Sequence, residues 1–230
     1  MAELLSIVIP ARNERDALPL LLNDLAPLRS AGAEIIVVDG GSTDGTPERV
    51  APLVDKLLQS APGRARQMNA GAAAASGEYL WFVHADTRVS AAALQRLLDT
   101  LRERPLWGRF DVRLSGTGPS LRLIATMINL RSRLTGVASG DQAIFIKREA
   151  FAQHAGFADI ALMEDIELSR RMKRLQRPVC LRPALLTSSR RWETNGVWRT
   201  VWLMWRLRLA YYCGANPDQL ARDYQRGSRS

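Results

Sequence analysis

Leu5 to Ile9 is a short, β-branched apolar run stopped by Pro10. After the polar stretch Arg12 to Asp16, Leu18, Leu21, Leu22, Leu25 and Leu28 recur at helical spacing, so the pattern predicts strand, loop, helix. Glu34 to Val38 is a near-continuous apolar run of the kind a parallel strand buried on both faces needs. It ends in the turn-rich string Asp39-Gly40-Gly41-Ser42-Thr43-Asp44-Gly45. Thr46 is placed to cap the next helix, with Pro47 at its first position, and Pro52 keeps that helix short. Lys56 to Gln59 predicts a weaker third strand. Arg64 to about Ala75 predicts a small-residue helix closed by Gly77, Tyr79 to Val83 a fourth strand, and Ser90 caps a helix that carries Leu94, Leu97, Leu98 and Leu101 and stops at Arg104-Pro105.

Beyond residue 105 the pattern changes. Phe110, Val112 and Leu114 alternate with Arg109, Asp111 and Arg113, which predicts an exposed strand, and Ser120 to Leu134 predicts an amphipathic helix. Gln142 to Lys147 follows as a strand, Glu164 to Gln176 as a charged helix and Val197 to Cys213 as a Trp-rich helix. Strands alternating with helices over the first half imply an α/β fold, Rossmann-like, with a mostly parallel open sheet and helices on both faces. Ligands gather at the carboxyl ends of the strands of such a sheet. The polar strings after the first, second and fourth strands fall at that edge.

Composition narrows the chemistry. The chain has 230 residues, 47% hydrophobic and 24% charged, which excludes disorder. Its only cysteines are Cys180 and Cys213 and its only histidines His84 and His154, so a disulfide framework and a Cys/His zinc site both lack ligands. Any metal must therefore sit on carboxylates. The net charge is +9, and it is uneven: from Arg170 onward there are 14 Lys+Arg against 3 Asp+Glu, a net +11. That asymmetry argues against a nucleic-acid-coated domain and for an anionic partner met by one end of the molecule. The first residues carry no basic stretch and too short an apolar run for a signal peptide, which places the chain in the cytoplasm, and no segment passes as a membrane span. The Gly-rich string lacks G-x-G-x-x-G, and Gly45 is followed by Thr46-Pro47 where a Walker loop needs Lys and Ser/Thr. No G-x-S-x-G elbow occurs either.

Four strings, taken in order, resemble glycosyltransferase family 2: SIVIPARNE at Ser6 to Glu14, IVVDGGSTDGT at Ile36 to Thr46, RARQMNAG with HADT between Arg64 and Thr87, and GDQ with MEDIEL between Gly140 and Leu168. The resemblance runs from about residue 5 to 192. It implies a GT-A fold, in which 1–105 bind the nucleotide-sugar, 106–192 form the acceptor-binding and catalytic half, and 193–230 make a basic, Trp-rich helix and tail. It also implies transfer, with inversion, of a sugar from a nucleoside-diphosphate donor, a UDP-sugar, to a hydroxyl acceptor that is either lipid-linked or small. Two other readings stay open: a nucleotidyltransferase, which would need a second metal carboxylate near Asp86, and a binding protein that keeps the nucleotide pocket without turnover.

The resemblance assigns the donor nucleotide to Pro10, Ala11, Glu14, Asp39, Gly41, Arg66, Asn69, His84 and Ala85. Asp39 can accept from the imide N–H of a uracil and Glu14 can reach the base or ribose, while Arg66, at a helix start, suits the diphosphate. His84-Ala85-Asp86 stands where the family has D-x-D. Asp86 matches the final Asp, which holds a divalent Mn²⁺ or Mg²⁺ whose shell phosphate oxygens and water complete. His84 replaces the first Asp. Glu164-Asp165 matches the family's Glu-Asp pair, with Asp165 as the general base and Glu164, Asp141 and Gln142 toward the sugar and acceptor. Adjacent carboxylates on a helix do not share a face, so only one of the pair is expected to point into the site. Arg190-Arg191-Trp192 resembles a Q-x-x-R-W string with Ser188 in place of Gln. Arg191 either closes over the diphosphate or stacks on Trp192. Residues 196–213, with Trp198, Trp202 and Trp205 among Arg199, Arg206 and Arg208, are expected either to lie on the inner membrane face as a peripheral contact or to pack on protein. The oligomeric state is left open.

Overall fold

The computed structural model describes residues 5–227, without the side chains of residues 191 and 225. Seven strands make one sheet in the order β3-β2-β1-β4-β6-β5-β7. They are β1 (Leu5–Ala11), β2 (Glu34–Asp39), β3 (Lys56–Gln59), β4 (Tyr79–Phe82), β5 (Trp107–Leu114), β6 (Phe145–Lys147) and β7 (Val179–Thr187). The first four are mutually parallel, β6 runs antiparallel to both its neighbours, and β5 pairs parallel with β7. The crossovers are α1 (Leu18–Ser30), α2 (Thr46–Val50), α3 (Arg64–Ala74) and α4 (Ala91–Arg102). Later come α5 (Pro119–Thr135), α6 (Arg148–Gln153), α7 (Glu164–Leu175), α8 (Arg190–Asn195), α9 (Val197–Tyr212) and α10 (Pro217–Gly227).

The alternation of inward side chains along buried strands builds two cores. On one face Ile7, Ile9, Ile35 and Val37 meet Leu18, Leu21 and Leu25 of α1 and Leu94 and Leu97 of α4. On the other, Val8, Ile36, Val38 and Phe82 meet Met68 of α3, Phe151 of α6 and Leu168 and Met172 of α7. Each fully buried Leu contributes about 1.5–3 kcal/mol relative to exposure. Gly71 sets the distance between α3 and the sheet, because a Cβ there would stand 2.4 Å from Cγ1 of Val8.

Three expectations are corrected. Thr46 does not cap α2: Gly45, at φ 81°, takes that place, because the Thr46 hydroxyl is engaged by the Glu14 N–H and by Asp44. The strand carrying Arg109 and Asp111 is not exposed. It lies between β6 and β7 under α5, and Arg109 and Asp111 are 0% and 3% exposed. Burial is tolerated because Asp111 accepts from Arg109, from Arg133 at 2.7 Å and from Arg182 at 2.9 Å, while the Asn129 side chain brackets the Val112 backbone. Finally, β7 was not foreseen: Arg182-Pro183 breaks its apolar run, and the ladder shifts register between Phe110 and Val112 to accommodate it.

The Trp-rich helix both packs and projects. Leu207 of α9 and Leu220 of α10 close a small core with Val137, Met163 and Ile166, and Val197 and Val201 pack on Leu121 and Ile124 of α5. Among the described residues no helix is long and apolar enough to cross a membrane.

Gly71→Ala should lower the thermal midpoint by about 3–10 °C, through overpacking of about 1–3 kcal/mol against Val8. A scanning melt checks this, and Val8→Ala in the same chain should recover part of the loss.

Candidate functional site

The loops after β1 and β2 are stitched together side by side. The Asn13 N–H donates to Ser42 Oγ at 2.8 Å and the Thr43 N–H to Asn13 Oδ1 at 2.8 Å. The Glu14 N–H donates to Thr46 Oγ1 at 3.0 Å and the Arg15 N–H to Asp44 Oδ2 at 3.1 Å. Gln67 of α3 donates its amide to the Ala11 carbonyl at 2.9 Å and the Val38 carbonyl at 2.8 Å, tying both strand ends to the helix. A cleft of about 580 Å³ opens at this carboxyl edge, within the range of about 300–1,000 Å³ usual for small-molecule sites.

The cleft is bordered by Pro10, Ala11, Arg12, Glu14, His84, Ala85, Asp86 and Arg190 and by Gly140, Asp141, Glu164, Asp165, Thr200 and Arg208. Arg64 and Gln67 lie along it. The Asp86 carboxylate makes no hydrogen bond or ion pair with any described residue. Burial, and then the charge of Asp86, raise Glu14 above the usual carboxylate range although Arg190 stands 3.7 Å away. Among the described residues no three His, Cys, Asp or Glu side chains cluster as a complete metal cage. A carboxylate with no partner among the described residues, lining the cleft with Arg12, Arg64 and Arg190, instead fits a hard cation that shares its shell with phosphate and water.

The second carboxylate cluster turns on Gly140. Its N–H donates to Asp165 Oδ2 at 2.5 Å, and the Ile166 N–H donates to Oδ1 at 2.7 Å, so the carboxylate is held from two sides at the start of α7. A Cβ on Gly140 would stand 2.9 Å from Nε2 of His84, which fixes a glycine there. His84 faces Asp141, with Nδ1 3.4 Å from Oδ1. Desolvation would raise Asp141, but the His84 hydrogen bond and the charges of His84, Arg64 and Arg208 hold it down at about 2. Glu164 is buried, and desolvation together with the negative charge of Asp165 raises it to about 7 against the opposing pull of Arg64. Contrary to expectation, both Glu164 and Asp165 border the cleft. The cleft wraps the end of α7 rather than its side, and first-turn side chains fan outward from a helix terminus. Met163, just before them, sits in the left-handed region at φ 72°, a strained conformation of the kind that collects at functional sites.

Other expected residues stand elsewhere. Asp39 accepts from the Gly41 and Ser42 N–H groups, both at 3.0 Å, and from the Ser42 hydroxyl; neither it nor Gly41 borders the cleft. Arg66 pairs on the surface with Asp159 at 2.8 Å, and Arg64 faces the cleft instead. Asn69 clamps Phe157 through its carbonyl and N–H at 2.8 and 3.0 Å. Gln142 is fully buried, accepting from the Ser139 N–H at 3.1 Å. The side chain of Arg191 lies outside the described residues, and Arg190 borders the cleft. Sequence reasoning missed Arg12, Gln67, Arg190 and the contribution of Thr200, Met204 and Arg208. Arg208 carried a signal, since it falls nearly opposite Arg199 and Arg206 on its helix.

The family model described as glycosyl transferase family 2 matches residues 6–153. An uncharacterized glycosyltransferase of Mycobacterium tuberculosis is 30% identical over 208 residues, covering 85% of this chain and 77% of that protein. An uncharacterized glycosyltransferase of Nostoc is 28% identical over 111 residues, 45% of this chain, and the match spans only 34% of that protein's length. Among solved structures, Staphylococcus aureus TarS 1-349 in complex with UDP-GlcNAc matches with a TM-score of 0.65 at 20% identity, over 80% of this chain and 58% of that one. A mannosyltransferase from Pyrobaculum calidifontis in complex with GDP-Man and Mn²⁺ matches with a TM-score of 0.64 at 18% identity, over 96% of this chain and 68% of that one.

The raised Glu164 has a consequence for stability. Its folded pKa lies above its unfolded value of 4.5, so the folded chain binds more protons and stability falls as pH rises from about 4.5 to about 7. Glu164→Gln should therefore melt about 3–8 °C above the parent at pH 8, with the gap closing below pH 5. Melts across that range check the sign.

Proposed function

The chain belongs to glycosyl transferase family 2 and has the GT-A fold; from that premise we propose that its cleft moves a sugar, with inversion, from a nucleoside diphosphate, most simply UDP, to a hydroxyl acceptor. The observation that carries this reading is the presence of two unlike carboxylates in one cleft, Asp86 with no hydrogen-bond or ion-pair partner among the described residues and Asp165 held by two N–H groups. Solved neighbours carrying UDP-GlcNAc, or GDP-Man with Mn²⁺, support a nucleotide-sugar and a divalent ion.

In this reading the donor lies along the Pro10–Ala11 edge with its diphosphate near Asp86, Arg12, Arg64 and Arg190. A divalent cation, when bound, supplies positive charge to the leaving diphosphate, and Asp86 is the side chain that would hold it. Asp165 accepts the proton of the acceptor hydroxyl as that oxygen forms its bond to the anomeric carbon. The bond from that carbon to the diphosphate breaks on the opposite side, and the diphosphate leaves with the electron pair. Each Asp165 oxygen spends one lone-pair direction on an N–H and keeps another for the proton, so the carboxylate is aimed without being saturated. Glu164, part neutral near pH 7, can both donate to and accept from a sugar hydroxyl. Asp39 braces the turn that shapes the base pocket, and His84, against Gly140, fixes the floor between donor and base.

Asp165→Asn should reduce transfer by about 10²–10⁴ while leaving UDP affinity within a few fold. Asp86→Ala should abolish the Mn²⁺-dependent part of UDP binding measured by calorimetry, with the melting curve unchanged in the absence of ligand. Hydrolysis of a UDP-sugar panel without acceptor supplies the activity readout. Release of pyrophosphate from a nucleoside triphosphate instead would sink the reading in favour of nucleotidyl transfer.

A further inference from the structure

Helix α9 separates its two faces. Inward, Thr200, Met204 and Arg208 border the cleft. Outward, Trp198, Trp202, Trp205, Leu209 and Tyr212 stand 52 to 69% exposed. At 100° per residue these five fall within about 80° of arc, a single stripe along the helix. A second stripe runs along α5: Leu123, Met127, Leu130 and Leu134, 48 to 68% exposed, within about 60° of arc. The helices meet where Val197 and Val201 of α9 join the cluster formed by Leu121, Ile124, Ala125 and Ile128 of α5 with Leu114 of β5. The α5 stripe points away from the face carrying Ala125 and Asn129, which meet the core and the Val112 backbone. The α9 stripe points away from Thr200 and Leu207, which are buried. Each stripe therefore looks away from the core. Nine large apolar side chains exposed on these two helices make a surface that needs an occupant.

Charge decides which. Neither helix contains an Asp or Glu. Arg122, Arg199 and Arg206 are exposed on them, while Arg208 turns to the cleft, Arg133 pairs with Asp111 and Arg131 is partly buried, and the acids nearest α9 in sequence are Glu193 before it and Asp218 after it. Arg206 lies over the Trp202 ring at 5.4 Å, so a cation is held at the level of the aromatic stripe. A second copy docked face to face would set this acid-free, arginine-bearing surface against itself. An anionic bilayer offers the complementary charge at the headgroups and the apolar layer beneath them, the arrangement that Trp and Arg at an interface match.

We infer that α5 and α9 together form a docking surface for an anionic lipid bilayer, with Trp198, Trp202 and Trp205 on one rail and Leu123, Met127, Leu130 and Leu134 on the other. This deepens the expected contact at 196–213 by making it two-railed and rigidly attached to the sheet, and it is independent of which reaction the cleft performs. It also sets the bilayer against the back of the helix whose inner face borders the cleft.

The full chain is mixed with vesicles of phosphatidylcholine alone or with phosphatidylglycerol, and binding is read by sedimentation and by quenching of Trp fluorescence with brominated lipid. Binding to the anionic vesicles, at least tenfold weaker at 0.5 M salt and weak on phosphatidylcholine alone, is the expected result. Trp202→Ala with Trp205→Ala, and separately Met127→Gln with Leu134→Gln, should each cut partitioning about tenfold, with melting curves and Mn²⁺-dependent UDP binding unchanged. No binding by the parent chain at low salt overturns the inference. So does a light-scattering dimer that these substitutions disperse without any vesicle effect, which would assign the surface to a second copy. Loss through α9 alone, with the α5 pair indistinguishable from the parent, removes the second rail. Retained UDP binding alongside failed vesicle binding leaves the cleft reading untouched.

Discussion

Parallel pairing of β1 with β2 and with β4 is the constraint on which this molecule rests. A parallel pair cannot be closed by a tight turn, so each strand returns through a helix, and every strand then ends at the same edge. The loops carrying Arg12 to Glu14, Gly40 to Gly45 and His84 to Asp86 are brought together by that rule before any of their side chains interact. Inversion of β6 does not break the arrangement, because an antiparallel strand presents the segment before it, Ser139 to Gln142, at that edge as well.

Convergence alone would leave mobile loops. Here they are locked by hydrogen bonds from one loop's side chains to the next loop's backbone, and by Gln67, whose buried amide spans two strand ends. The Gly140 N–H on Asp165 does the same between the approach to β6 and the start of α7. Both devices use backbone groups as partners, which are positioned by the fold itself and lose little freedom on pairing. Electrostatics then distinguishes groups of the same type. Asp141, facing His84, is held down at about 2, while Glu164, dehydrated beside Asp165, is raised to about 7.

The places where patterning fell short share one cause. Alternation reads Arg109 and Asp111 as solvent-facing, since charges normally are, and only the arrival of Arg133 from α5 and Arg182 from β7 makes their burial tolerable. Arg64 and Arg66 sit two residues apart on one short helix, and sequence chose between them by motif. In the fold Asp159, 93 residues away, claims Arg66 for the surface. The C-terminal helices were separated from the site because their composition is so different, yet α9 lends the cleft Thr200, Met204 and Arg208.

What the sequence by itself determined was local and periodic: the four parallel strands and their helices, the turn strings at their carboxyl ends, the Ser90 cap confirmed by its bond to the Ala93 N–H, and the family membership carried by ordered motifs. Those features depend on interactions within a few residues or on a repeat that a strand or helix imposes. Which carboxylate stands without a partner among the described residues, which arginine faces the cleft, that Glu164 and Asp165 both reach it, and that α5 and α9 leave apolar stripes exposed were decided only by tertiary structure. Each is a contact between segments tens of residues apart, where burial and the nearest opposite charge outweigh anything the neighbours in sequence dictate.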